Sequence, residues 1–200
     1  MRPFPFLERH KQQGWQKKNG IRNFSPPRRL RFEMEIHMEE WYILQAEKKD
    51  LPRILEIYAH ARAFMRKNGN ESQWRDNFPP QELLLADIEA GNLYVVKERE
   101  RIHGVFAFII GEDPAYAVIE QGGWLSDTEY GTLHRVAGDG EAKGIFNRIV
   151  SFAGRRSPHL RIDTHSDNQV MQHLITQNGF SRCGIIHVAD GSPRIAYERL

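Results

Sequence analysis

The spacing of apolar residues changes several times along the chain, and each change marks an element. Residues 41–46, WYILQA, form a short apolar run that predicts a first strand. The period then lengthens. Leu51, Ile54, Leu55, Tyr58, Ala61 and Met65, with Arg62 on the same stripe, recur at the spacing of an amphipathic helix. Asp50 stands where a cap is wanted, and Pro52 falls in the first turn, where its missing N–H is no loss. Asn68-Gly69-Asn70 ends the pattern. Pro79-Pro80 opens a second helix that buries Leu83, Leu84 and Ile88 and stops at Gly91.

From Asn92 the period is that of strands. Residues 93–97 and 103–110 predict an antiparallel hairpin across the charged turn Glu98-Arg99-Glu100-Arg101. Glu112-Asp113-Pro114 breaks it, residues 116–119 read as another short strand, and glycines 122 and 123 with Ser126-Asp127 make a loop around Trp124. Next comes the most informative stretch, 132–155. A short strand carrying Leu133 and Val136 enters a turn containing Gly138, Gly140 and Gly144. A helix follows, with Ile145, Ile149 and Phe152 on one face, flanked by Phe146, Val150 and Ala153. Residues 160–164 are a strand, Asp167 or Asn168 caps a helix closed by Gly179, and 181–188 with 195–198 form a final hairpin. The order β-α-α-β-β-β-α-β-α-β-β specifies an α/β chain with a mixed sheet, antiparallel first and parallel across the central β-α-β.

Two hundred residues suffice for one compact domain plus a tail. A net charge of +2 is too small to imply a polyanionic partner for the whole chain. No apolar run reaches the roughly 18 residues of a membrane span. The single cysteine, Cys183, excludes an internal disulfide framework and reads as a small buried hydrophobe, and no Cys/His cluster has zinc spacing. Without a charged-then-apolar secretory signal, the expected location is the cytoplasm. Charge is uneven, however: residues 1–33 hold nine Lys/Arg, with Pro26-Pro27 beside Arg28-Arg29. Such an arm can meet nucleic acid, but no helix face collects its charges. Residues 1–37 are therefore expected to be a disordered extension, or sequence upstream of a start at Met34 or Met38, and 38–200 a single domain.

Strand, glycine turn and helix in that order point several backbone N–H groups and the positive end of a helix dipole at one small volume, which suits phosphate. A Walker loop needs Lys and Ser/Thr after its last glycine; here Lys143 precedes Gly144 and Ile145 follows, so that reading fails. Gly138-x-Gly140-x-x-x-Gly144 is a loosened dinucleotide fingerprint, with Asp163 where a ribose-binding acid would stand. Only one helix and a hairpin remain after it, where a dinucleotide domain usually has several more βα units, so an NAD(P)-binding oxidoreductase stays as the lesser alternative.

The element order, Ala142-Lys143-Gly144-Ile145 opening one helix and Asn178-Gly179-Phe180 ending the next, resembles the GNAT superfamily of N-acetyltransferases over residues 41–200. Its acetyl-CoA signature, Gln/Arg-x-x-Gly-x-Gly/Ala, falls on residues 141–146. Gly144 fits strictly, Glu141 replaces Gln/Arg, and Phe146 replaces a small residue.

The resemblance implies a sheet whose central parallel strands splay apart and a bulged strand whose amides, at Val136, Ala137 and Gly138, meet the pantetheine arm and the acetyl oxygen. It implies a diphosphate-binding turn at Gly140, Glu141, Ala142, Lys143, Gly144, Ile145 and Phe146, and a cofactor contact from Asn168. The activity implied is acetyl transfer from acetyl-CoA to an amine of a small molecule or peptide. A GNAT-fold CoA-binding module without turnover is the alternative, and homodimerisation is left open. An amine must lose a proton before it attacks, so a carboxylate or imidazole is wanted near the site. Glu120, His134 and His165 are the candidates. Many members carry a leaving-group tyrosine where this chain has Ile175, which leaves the thiolate to depart alone or another group, such as Tyr116, to serve. Glu120, Asp127 and Glu129 give the insertion an acidic lean, and Trp124, Tyr116 and Trp74 could wall a site for a cationic amine.

Overall fold

The computed structural model describes residues 40–200. The expected extension over 1–37 lies outside the described residues. Within them the strands are β1 (Trp41–Gln45), β2 (Leu93–Glu98), β3 (Arg101–Ile110), β4 (Gly131–Gly138), β5 (Leu160–Thr164), β6 (Ser181–His187) and β7 (Pro193–Arg199). The helices are α1 (Leu51–Lys67), α2 (Gln81–Glu89), α3 (Ile145–Gly154) and α4 (Gln169–Gln177). This is the α/β element order the apolar spacing dictated. The seven strands form one sheet in the order β1-β2-β3-β4-β5-β7-β6, with only β4 and β5 parallel.

Both faces of the central strands are covered, which is why β3 reads as a continuous apolar run rather than an alternating one. Alternate residues nevertheless serve different cores. Val95, Val105 and Ala107 pack under α1 and α2 with Ile54, Ile57 and Leu84. Val96, Phe106 and Phe108 pack under α3 and α4 with Ile149, Phe152 and Ile175. Phe106 is stacked on Tyr94 and meets Phe152 edge-on.

The strand expected over 116–119 does not form. Pro114–Tyr116 is a single 3-10 turn, because Asp113 caps the Ala115 N–H at 2.9 Å and Pro114 starts the turn with no N–H to satisfy. Only Glu120 pairs, as an isolated bridge to Ile185 of β6. Apart from the Gly123 N–H, which donates to the Cys183 carbonyl at 3.0 Å, the rest of that insertion is held by side chains. Trp124 stacks on Tyr116, and the Arg161 guanidinium is sandwiched between Trp124 and Tyr130, 3.9 Å from each ring centre. Cys183 is buried beside it, and desolvation pushes its thiol up to about 11, consistent with an inert core residue.

Candidate functional site

The site begins with a register fault. β3 and β4 pair as Gly104↔Gly138 and Val105↔Ala137, then resume as Ala107↔His134, so Arg135 and Val136 together face Phe106. That is a β-bulge. Arg135 sits at φ 53°, in the left-handed region that costs a non-glycine residue about 1 kcal/mol. Two neighbours hold it there. Its guanidinium pairs with Asp87 of α2 at 2.7 Å, and its carbonyl accepts the Tyr58 hydroxyl of α1 at 2.9 Å. Burial keeps the Tyr58 hydroxyl far above its ordinary range, so it remains a donor. Burial also raises the Asp87 carboxyl, against the pull of Arg135.

The bulge coincides with the end of parallel pairing. β4 and β5 are registered only from Gly131↔Leu160 to Leu133↔Ile162. Beyond that point β4 follows β3 to Gly138 while β5 follows β7 to Thr164. A wedge opens, and amides of β4 that face it lack a strand partner. This is the splayed central pair.

The turn after β4 is organised by Asp139, which no motif in the sequence marks. It is buried; Oδ2 accepts Arg53 at 2.8 Å and lies 2.9 Å from His103 Nδ1, while Oδ1 accepts the Glu141 N–H at 3.0 Å. Gly140 and Gly144 take φ of 75° and 72°, conformations a side chain would strain. No side chain caps α3 at Gly144, so the first N–H groups of that helix open outward. They face a cavity of about 290 Å³ lined by Gly138, Gly140, Ala142, Gly144 and Met171 among others. Glu141 would be an unfavourable neighbour for phosphate, but its carboxylate is bound 2.5 Å from Arg101, not by Lys143. Phe146, on the first turn of α3, is buried in the core with Ile149 and Val150 and also lines the cavity, which keeps its volume beside the ring.

A second cleft of about 490 Å³ shares Val136, Met65, Asn168 and Met171 with the first. His134 lines it, with Nε2 2.8 Å from Asp113 Oδ2. The His134 hydrogen bond holds the Asp113 carboxyl below the usual carboxylate range. Asp163 lines it too, accepting the Tyr116 hydroxyl at 2.9 Å; burial pushes its carboxyl up, opposed by His134, Tyr116 and Arg194.

Of the three base candidates, only His134 lines this cleft. Glu120 is exposed at the β6 edge, because its backbone bridges Ile185 and turns the insertion away from the cleft. His165 lies in the turn before α4, where Nδ1 accepts the Asp167 N–H at 3.2 Å, and it lines neither cavity. Tyr116 is fully committed to Asp163, which removes it as a leaving-group acid. Trp124 packs on Tyr116 and Arg161, and Asp127 and Glu129 are exposed and line neither cavity; of the aromatic walls only Trp74 remains. Asn168 lines both cavities, but its Oδ1 caps the Met171 N–H and its Nδ2 donates to Gln73, which leaves one N–H for a ligand. Asp163 is bound to Tyr116 rather than poised for a ribose. Asp113 and Asp87 were invisible as site residues because their partners lie 21 and 48 positions away in sequence.

Neither a protein-family model nor a curated protein matches the sequence. Solved structures do. A GNAT-family acetyltransferase from Streptococcus agalactiae 2603 superposes with a TM-score of 0.72 at 28% identity, covering 80% of this chain and 95% of that one. A ribosomal-protein-alanine N-acetyltransferase from Brucella melitensis gives 0.54 at 17% identity, over 80% and 99%. A Salmonella typhimurium protein solved with its cofactor acetyl-CoA gives 0.50 at 18% identity, over 79% and 92%.

Proposed function

We propose that this chain, which has the fold of the GNAT-family acetyltransferases, transfers an acetyl group from acetyl-CoA to an amine by direct attack. The observation that carries the reading is the coincidence of three features at one place. The β4 bulge at Arg135, the end of β4–β5 pairing after Leu133, and the uncapped start of α3 at Ile145 all border the same connected space.

The residues present fit such a co-substrate. The opening amides of α3 and the left-handed Gly140 and Gly144 form an anion cradle without side chains in the way. Arg101 neutralises Glu141 at its rim. Val136, Ala137 and Gly138 offer β4 amides along the wedge, in position to polarise a carbonyl oxygen. When bound, acetyl-CoA supplies an acetyl group activated as a thioester, open to attack by an amine.

His134 is the base in this reading. With Nε2–H donated to Asp113, the Nδ1 lone pair is the one left to take the ammonium proton. Asp113 is a positioning residue: it fixes the ring and stabilises the imidazolium that forms. Ile175 occupies the core at the place of a tyrosine acid, so α4 gives the departing sulfur no proton there.

Calorimetry with CoA and a thiol-release screen of acetyl-CoA against small amines and peptides test the reading together. Binding followed by amine-dependent thiol release is the expected result. Binding without release for any amine would favour a non-catalytic CoA module, and no binding at high micromolar CoA would end both.

A further inference from the structure

The second cleft contains a buried cation whose partners do not saturate it. Arg194 enters from β7 with its side chain 8% exposed. NH1 donates to the carbonyl of its own neighbour Pro193 at 3.0 Å, and Nε lies 3.9 Å from Asp163 Oδ1, beyond hydrogen-bond range. The other Asp163 oxygen is taken by the Tyr116 hydroxyl at 2.9 Å. A guanidinium carries five N–H donors, and its burial is unfavourable unless a close anion and hydrogen bonds answer it. Among the described residues Arg194 has one loose ion pair and one local hydrogen bond. The Asp190 carboxyl of the same cleft, held below its usual range chiefly by Ser192, feels the Arg194 charge without bonding it. A second group in the same cleft is also short of partners: Thr164 Oγ1, wholly buried, has no hydrogen-bond partner among the described residues. The rest of the wall includes Trp74, Phe78 and Val188.

We propose that Arg194 binds the carboxylate of the acceptor while Asp163 receives its ammonium group, so that the acceptor is a free α-amino acid with an apolar side chain. This rests on the acetyl-transfer reading above and names the substrate class for it. The ammonium and carboxylate of an α-amino acid flank a single carbon, so the zwitterion can lie alongside Arg194 Nε and Asp163 Oδ1, which are 3.9 Å apart, with each of its charges opposite one of theirs. A zwitterion placed there completes both halves of a pair that is too wide to complete itself. Its amine then lies on the wall shared with His134, and its side chain faces the aromatic surface of Trp74 and Phe78. A peptide N-terminus carries no carboxylate at that position and would leave Arg194 as it is.

The test is calorimetry on the full chain in the presence of CoA. L-leucine, L-methionine and L-phenylalanine are titrated beside their amides and a leucyl peptide, into the wild type and the variants R194Q and R194K. The free acids are expected to bind about 10- to 100-fold more tightly than the amides, the range of a charge-assisted hydrogen-bonded pair. R194Q is expected to abolish that preference with CoA affinity unchanged, and R194K to keep part of it, as a point charge without the planar fork. Equal binding of acids and amides by the wild type, tighter binding of the peptide, no amino-acid binding, or a preference that survives in R194Q would each overturn the proposal. If R194Q does not fold, the wild-type and R194K comparisons still decide. Titration of CoA alone separates the two readings. Loss of CoA binding removes acetyl transfer itself, whereas CoA binding without an acid preference removes only the amino-acid assignment.

Discussion

Arg135 and Asp87 form a 2.7 Å ion pair between the bulge of β4 and the helix α2. The pair ties an unfavourable backbone conformation to a side chain from another element, so the opening in the sheet is held by α2, together with the Tyr58 hydroxyl of α1, rather than by the strand itself. Both side chains are largely buried, and the loss of one leaves the other charge without its partner.

Replacing Asp87 by alanine is therefore expected to lower unfolding stability by about 3 kcal/mol, at the low end for breaking a buried pair. Denaturant titration measures this. An unchanged midpoint with unchanged CoA affinity would mean that the bulge holds its shape without the clamp.

The Asp113–His134 pair makes two separate demands. Replacing His134 by glutamine should lower kcat/KM by about 10²- to 10⁴-fold while leaving CoA affinity intact. Because the folded Asp113 carboxyl is held below its usual value, its stabilising contribution is present above about pH 4 and is lost as pH falls through the depressed folded value. Asp113→Asn should accordingly show a shallower loss of stability below pH 4 than the wild type. Parallel acid-unfolding curves for the two proteins would contradict the pairing.

Arg101 and Glu141 are both about half exposed, so their ion pair adds little to stability. Its effect is local charge. Arg101→Ala should leave the melting temperature within a degree or so and weaken CoA a few-fold, by uncovering a carboxylate at the phosphate cradle. The double variant with Glu141→Gln should recover the affinity. If Glu141→Gln gives no recovery, the cradle lies elsewhere.

Phe146 separates a core role from a blocking one. Its ring is buried with Ile149 and Val150, so Phe146→Ala should destabilise by about 3–5 kcal/mol. A variant that keeps its stability and binds CoA more tightly would show instead that the ring obstructs the cavity.

Much of this could be read along the chain. The order of elements followed from apolar spacing, because period 2 and period 3.6 are set by the backbone and survive in any tertiary setting. The glycine turn proposed for phosphate was visible because Gly140 and Gly144 stand where positive φ is required. His134 was visible as an imidazole on the strand before that turn. Glu120 and His165 have chemistry suited to a base but line neither cavity: Glu120 bridges Ile185 of β6, and the turn before α4 engages the His165 ring. No local pattern distinguishes these three residues.

Apart from the strand expected over 116–119, the sequence by itself determined which segments are strands and helices, where the glycines bend the chain, and which family motif the turn resembles, since each depends on residues close together in the chain. The tertiary structure alone decided which carboxylate meets which cation. Asp113 found His134, Asp87 found Arg135, Asp139 found Arg53 and His103, and Asp163 came to rest beside an Arg194 it does not fully satisfy. Those pairings join separate strands and helices, and they exist only once the β4–β5 wedge and the helices above it bring distant residues within hydrogen-bond range.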